Sequence, residues 1–244
     1  MFKFNYRLII YRYEVILAAI ILLLTGSIAV SSKDAEKQIA VAYEKLYPLK
    51  AAITFDDGPH LKYTETLVKL LKDNGARATF FVVGSKAQEH PDLVRMIADN
   101  GNEVECHTFT HRNLANLSVS EIKSELSGST VLLESITGRK VSYFRPPGGQ
   151  YNLKVIKSAE QLNMGMVLWT VFPKDHQESS SAVIIHRVMS QITDGGVILL
   201  HSGHEPTYTA LPVIIKLLRD KGYRFVTIDE LQRETPKDKL VWLK

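Results

Sequence analysis

Cysteine is almost missing from this 244-residue chain: Cys106 is the only one. No disulfide can form within the chain, so a form of it outside the cell would be held together by its core alone. A large excess of charge of one sign is missing too. Lysine and arginine number 30 against 26 aspartates and glutamates, a net +4 at pH 7. Half of that excess comes from Lys3, Arg7 and Arg12 against Glu14, and the remainder is scattered. Such a charge is too weak and too diffuse to argue for nucleic acid as a partner. Internal repeats and low-complexity segments are also absent. What the chain has is 45% hydrophobic residues, enough for one sizeable core, and its length suits a single α/β domain.

One long apolar run is present, "VILAAIILLLTGSIAV" at 15–30, behind the basic stretch "MFKFNYRLIIYRYE". A basic flank, an apolar run and small residues make an export signal, with Ser27-Ile28-Ala29 as a weak cleavage site. The run is slightly short of the roughly 20 residues of a spanning helix. Tyr11 and Tyr13 sit where the membrane boundary would be, which suits an uncleaved anchor with its basic side in the cytoplasm. Residues 1–32 therefore read as a signal peptide or signal-anchor that places the rest outside the membrane. Residues 33–48 read as a tether with a short helix around 35–47, and 49–244 as the working domain.

From residue 51 the pattern alternates. Apolar, β-rich runs fall at 51–55, 78–83, 103–106, 164–169, 197–201 and 225–228, with a short extended piece at 143–144. Helix-like spacing fills 64–74, 91–100, 120–137, 153–162, 182–192 and 209–221. "SVSE" at 118–121 is a capping box, and "DNG" at 73–75 and 99–101 are helix stops. Alternating strands and helices predict a parallel sheet, open or closed into a barrel. In such folds functional residues gather beyond the C-terminal ends of the strands.

Five of those ends carry ionisable groups: "DDGP" from Asp56, "HTFTH" from His107, "RPPGGQ" from Arg145, "TVFPKD" ending at Asp175, and "HSGH" from His201. Packing alone does not account for five. Two histidines four apart with a carboxylate from elsewhere form a divalent-metal set that leaves a position open for water. His107 and His111 would face the same way on a helical turn. The motif lacks the Glu of H-E-x-x-H, so a zincin is excluded. Cys106 should point into the core by strand alternation. His201 can give a proton to a leaving amine near neutral pH. Two prolines stiffen the chain after Arg145, whose guanidinium can grip a carboxylate. Asp175 either orients His201 or caps a turn. Asp56 and Asp57, adjacent at a strand end, diverge and can meet different partners.

Together "TFDDG", "HTFTH", "RPPGG", "WTVFPKD" and "LLH", in that order over 51–231, resemble the polysaccharide deacetylases with a NodB homology domain, carbohydrate esterase family 4. The resemblance implies a distorted, incomplete (β/α) barrel. It implies removal of acetyl groups from N-acetylated sugars in chitin, chitooligosaccharides or peptidoglycan. By position, Asp56 would be the general base, and Asp57, His107 and His111 the ligands of one divalent ion, zinc first, with cobalt or another ion as alternatives. Arg145 would pair with Asp56, His201 would be the general acid and Asp175 would tune it. Gly148, Leu199 and Pro147 fall on the substrate side, and Trp169 is more structural than catalytic.

Location favours peptidoglycan N-acetylglucosamine as substrate. N-acetylmuramic acid, chitooligosaccharide and O-acetylated xylan are the alternatives, and a silent glycan-binding surface protein is the reading from another class. No separate carbohydrate-binding module is visible, and oligomeric state is not readable. Three positions depart from the family pattern: Gly148 where many members have an aromatic, Phe172 where many have Asp, and His176 where many have Trp. His60 has no role that the sequence supports.

Overall fold

The structure is a computed structural model that describes residues 32–235. The apolar run at 15–30, with its export reading, lies outside the described residues. The chain divides into two compact units, Met1–Pro48 and Leu49–Lys244. The described part of the first is one helix, α1 (Ser32–Leu46), close to the helix expected at 35–47.

In the second unit β1 (Leu49–Gly58) is followed by α2 (Thr64–Asp73), β2 (Ala78–Val82), α3 (Gly84–Glu89), α4 (Pro91–Asp99) and β3 (Glu103–Cys106). Then come α5 (Val119–Thr137), β4 (Tyr143–Phe144), α6 (Leu153–Gln161), β5 (Gly165–Met166) and α7 (Ser181–Gln191). The unit ends with β6 (Gly196–His201), α8 (Glu205–Asp220), β7 (Tyr223–Phe225) and α9 (Ile228–Glu234). All pairings are parallel, in the order β5-β4-β3-β2-β1-β6, and β7 pairs with the first residues of β1. The curled sheet with its helices is the distorted, incomplete (β/α) barrel expected.

Strand β1 is buried from Ala51 to Asp56, as a strand covered on both faces must be. Its two faces serve different ends. Ala51, Ile53 and Phe55 join the large apolar cluster with Leu67 and Leu71 of α2, Ile97 of α4 and Ile214 of α8. Ala52 belongs to a smaller cluster with Phe81, Val197 and Leu231. By the two-residue period of a strand, Thr54 and Asp56 share the face of Ala52. The Asp56 carboxylate therefore leaves the sheet on the face of the smaller cluster.

Two expected strands are shorter than the sequence suggests. The run 164–169 forms a strand only at Gly165–Met166. Beyond it the carbonyls of Val167 and Leu168 accept from the Arg145 side chain rather than from a neighbouring strand. The run 225–228 ends as β7 at Phe225, because Thr227 and Glu230 form a capping box that turns Ile228 into the first residue of α9. Helices α3 and α9 were not expected. Farther down β3, the buried Glu105 accepts from the amides of Ser142 and Tyr143 and so fixes β4, the strand that delivers Arg145.

Candidate active site

Arg145 follows β4 and is fully buried. Its Nη1 donates to Asp56 Oδ1 at 2.7 Å and to Thr54 Oγ1 at 2.8 Å. Nε and Nη2 donate to the carbonyls of Val167 and Leu168 at 3.3 and 2.9 Å. The guanidinium carbon lies 4.1 Å from the centre of the Phe81 ring. A buried cation needs a paired anion and filled donors, and Arg145 has the anion and partners for four of its five N–H groups. Burial pushes its pKa down, with the Asp56 charge opposing. Asp56 Oδ2 is left facing His107 Nε2 at 3.8 Å.

Asp57 turns the other way. Its φ is 70°, in the left-handed region, and the β1–β2 register breaks between Phe55 and Gly58. Its Oδ1 lies 3.3 Å from His107 Nε2 and 3.0 Å from His111 Nε2. The expected helical turn for the two histidines is not found: residues 107–113 form a loop with Thr108 at φ 63° and His111 at φ 59°. The left-handed residues bring the imidazoles together, with ring centres 4.9 Å apart. Three of the five non-glycine residues with positive φ among those described are thus in this one place, where strain marks function more often than packing.

His107 Nδ1 is 2.8 Å from the carbonyl of Arg145, so that nitrogen carries a hydrogen and Nε2 is the one turned to Asp57. Burial works against a charged Asp57, but the hydrogen bonds and charges of His107 and His111 outweigh it and hold the carboxyl well below its usual range. One carboxylate oxygen and two imidazole nitrogens within 4.8 Å of one another fit a divalent ion. Cys106, one residue away, is buried in the apolar cluster as expected, and burial pushes its thiol up to about 12.

On β6, His201 pairs in register with Asp56 of β1. Its Nδ1 meets Asp175 Oδ1 at 2.7 Å, and its backbone amide donates to Asp175 Oδ2 at 2.7 Å. Thr207 Oγ1 donates to the same Oδ2 at 2.8 Å. Asp175 therefore orients His201, the first of the two options that the sequence left open. Burial lowers the His201 pKa, while the Asp175 bond and the charges of Asp175, Asp56 and Asp57 raise it. The net effect is a rise above the ordinary histidine value.

Pro147 is buried, and Gly148 is exposed at φ 61°. Gly149 follows at φ 67°, and a Cβ there would stand 2.7 Å from Trp169 Cη2, so the loop needs glycine at that point. Trp169 lies against the smaller apolar cluster and 5.7 Å from the Arg145 guanidinium, a supporting position. Leu199, two residues before His201, is buried opposite Thr54. His60 turns its ring onto Gly203 and belongs to neither group of ligands.

Several residues at the site carried no sequence signal. Glu125 of α5 accepts from the amides of Phe109 and Thr110 at 2.9 and 2.7 Å and from the Thr110 hydroxyl, gripping the loop between the two histidines. Lys86 of α3 donates to the carbonyl of Asp57 at 2.8 Å. Thr54 and Thr207 complete the shells of Arg145 and Asp175. Each is an ordinary helix or strand residue in sequence, and only the fold brings it to the rim.

Residues 46–167 match the polysaccharide deacetylase family. The chain is 38% identical over 182 residues to the peptidoglycan-N-acetylmuramic acid deacetylase PdaC of Bacillus subtilis, covering 74% of this chain and 38% of that protein. The solved structure of PdaC gives a TM-score of 0.71 at 36% identity, over 76% of this chain and 90% of the solved one. A peptidoglycan-N-acetylglucosamine deacetylase of Bacillus cereus is 35% identical over 187 residues, 75% of this chain and 87% of that protein. A CE4 family pseudoenzyme from Bacillus anthracis gives a TM-score of 0.72 at 32% identity, over 75% and 64% of the two chains. This chain thus spans 38% of the length of PdaC but most of the Bacillus cereus protein.

Proposed function

We propose a function from one premise: the chain belongs to the polysaccharide deacetylase family. On that footing it is a hydrolase that removes N-acetyl groups from peptidoglycan N-acetylglucosamine and releases acetate. The observation that carries the reading is the meeting at one rim of a paired carboxylate (Asp56), a ligand set (Asp57, His107, His111) and a carboxylate-bound imidazole (His201).

Amide hydrolysis near neutral pH needs a nucleophile better than water and a proton for the leaving nitrogen. Asp57, His107 and His111 would hold a divalent ion, zinc first, which when bound would supply Lewis-acid polarisation and a water with a pKa of about 7. Asp56 accepts the proton of the attacking water, with Oδ1 fixed by Arg145 and Oδ2 toward His107. The Gly148 amide helps to hold the negative oxygen of the tetrahedral species. His201, its Nδ1 held by Asp175, gives its proton to the amine, and acetate departs. Leu199 and Pro147 form the apolar wall for the acetyl group. No covalent intermediate is needed.

The test is acetate release from peptidoglycan, N-acetylglucosamine oligomers and acetylxylan, with Asp56→Asn as control. Fastest release from peptidoglycan, lost in the variant, is the expected result. Preference for acetylxylan would make the protein an O-esterase, and no release from any of them would favour the silent glycan-binding reading.

Residues 1–32 are assigned as the signal-anchor or signal peptide, 33–48 as the tether and 49–244 as the catalytic domain at the outer face of the cell membrane. Among the described residues no helix is long and apolar enough to cross a membrane, and the run at 15–30 is not among them. Cell fractionation with N-terminal sequencing of the recovered protein decides between anchor and cleaved signal.

A further inference from the structure

A second group of ligand-type side chains lies close by. Among the described residues Asp175, His176 and His201 also bring one ligand atom each within 4.8 Å of the others. Asp175 Oδ2 is committed to the His201 amide and Thr207, but Oδ1 meets only imidazole nitrogens: His201 Nδ1 at 2.7 Å and His176 Nδ1 at 4.0 Å. His176 Nδ1 is buried and has no hydrogen-bond partner. A buried polar atom left unsatisfied is costly and calls for an explanation. The His176 ring is held in place, 4.5 Å from the His201 ring on one side and stacked on Phe172 at 5.9 Å on the other.

We propose that Asp175, His176 and His201 form a second binding site for a divalent transition-metal ion, and that filling it switches the enzyme off. The ligands are Asp175 Oδ1, His176 Nδ1 and His201 Nδ1. Around a tetrahedral zinc ion such atoms stand ~3.4 Å apart. The 2.7 Å contact has to open and the 4.0 Å contact has to close, each by less than 1 Å. Two imidazoles and one carboxylate select zinc, cobalt, nickel or copper over magnesium and calcium. The ion takes the place of the proton on His201 Nδ1, which leaves to solvent, so one proton is released for each ion bound. His201 then loses its hydrogen bond to Asp175 and can no longer be the imidazolium that protonates the leaving amine. Binding at this site stands on the geometry alone, whereas the inhibition rests on the role of His201 given under the proposed function. The Asp57, His107 and His111 set, whose 3.0 and 3.3 Å contacts are already near ligand spacing, has no 2.7 Å hydrogen bond to open and fills first.

The experiment titrates zinc into metal-free full-length protein and follows bound metal and acetate release together. Wild type should bind two ions, the second more weakly, and release should fall by roughly 10²-fold or more as the second fills, the loss expected when a general acid is removed. His176→Phe should bind one ion and show no such fall relative to its own rate at one equivalent. His111→Ala, which weakens the first site, should still take up the ion held by Asp175, His176 and His201, so the result does not depend on one variant folding. A single ion in wild type, or two in His176→Phe, overturns the site. Two ions in wild type and one in His176→Phe, with release undiminished, overturns the inhibition. Two ions with no acetate release at any zinc level also removes the inhibition, and the failure then lies with the deacetylase reading rather than with the site.

Discussion

Asp57 with His107 and His111, and Asp175 with His176 and His201, are the same three residue types at the same rim of one sheet. Their hydrogen bonds set them apart. In the first group the His107 Nδ1 hydrogen is given to the Arg145 carbonyl, which turns Nε2 to Asp57 at 3.3 Å. In the second, His201 turns Nδ1 itself to the carboxylate, at 2.7 Å, and the Asp175 carboxylate is entirely buried. Asp57 keeps a side chain about one-third exposed. One arrangement gathers two ring nitrogens on one carboxylate oxygen at 3.0 and 3.3 Å, and the other ties its imidazole to the carboxylate by a 2.7 Å hydrogen bond. The identity of the residues does not decide between ligand and acid. The partner of the remote ring nitrogen does.

That contrast can be broken from either side. The largest effect belongs to the first group: His107→Ala should lose the bound ion and reduce acetate release to background, read by metal analysis beside the rate. His201→Gln should lower kcat by ~10²–10⁴-fold, the range for a lost general acid, while the first ion stays bound. Equal loss of metal in both variants would erase the distinction.

A smaller effect is expected from Glu125→Gln, which weakens the grip on the 109–110 amides. Metal affinity should fall ~10–100-fold, as for other residues that orient ligands, with kcat recovered at saturating zinc. Loss of kcat that zinc does not restore would place Glu125 in another role.

The subtlest is a pH shift. His201 acts protonated, and its pKa is raised in the folded chain. Activity should therefore hold below that raised value and fall as pH climbs through it. Asp175→Asn removes the charge that raises it, so the alkaline limb of the pH–rate profile should move to lower pH. The same linkage acts on stability: the His201–Asp175 contribution is complete below the unfolded value of about 6.5 and is lost as pH rises through the folded value. An unmoved limb in Asp175→Asn would separate His201 from the observed titration.

The sequence shows the rim better than the scaffold behind it. Asp56, His107, Arg145 and His201 each follow an apolar run, with Asp57 and His111 close behind, so strand ends and chemistry can be read together. The helical turn expected for His107 and His111 failed because spacing of four says nothing about the left-handed backbone at Thr108 and His111. The strand expected at 164–169 failed because an apolar run does not reveal that a guanidinium 22 and 23 residues away takes its carbonyls. Glu125 and Thr207 were illegible for a similar reason: their partners are set by how helices α5 and α8 pack, not by neighbours in the chain.

The account stands or falls on the metal set at Asp57, His107 and His111. Acetate release from purified peptidoglycan, measured before chelation, after it, and after return of one equivalent of zinc, tests this most directly. Release, loss and recovery are expected. Release that survives complete removal of metal would contradict it.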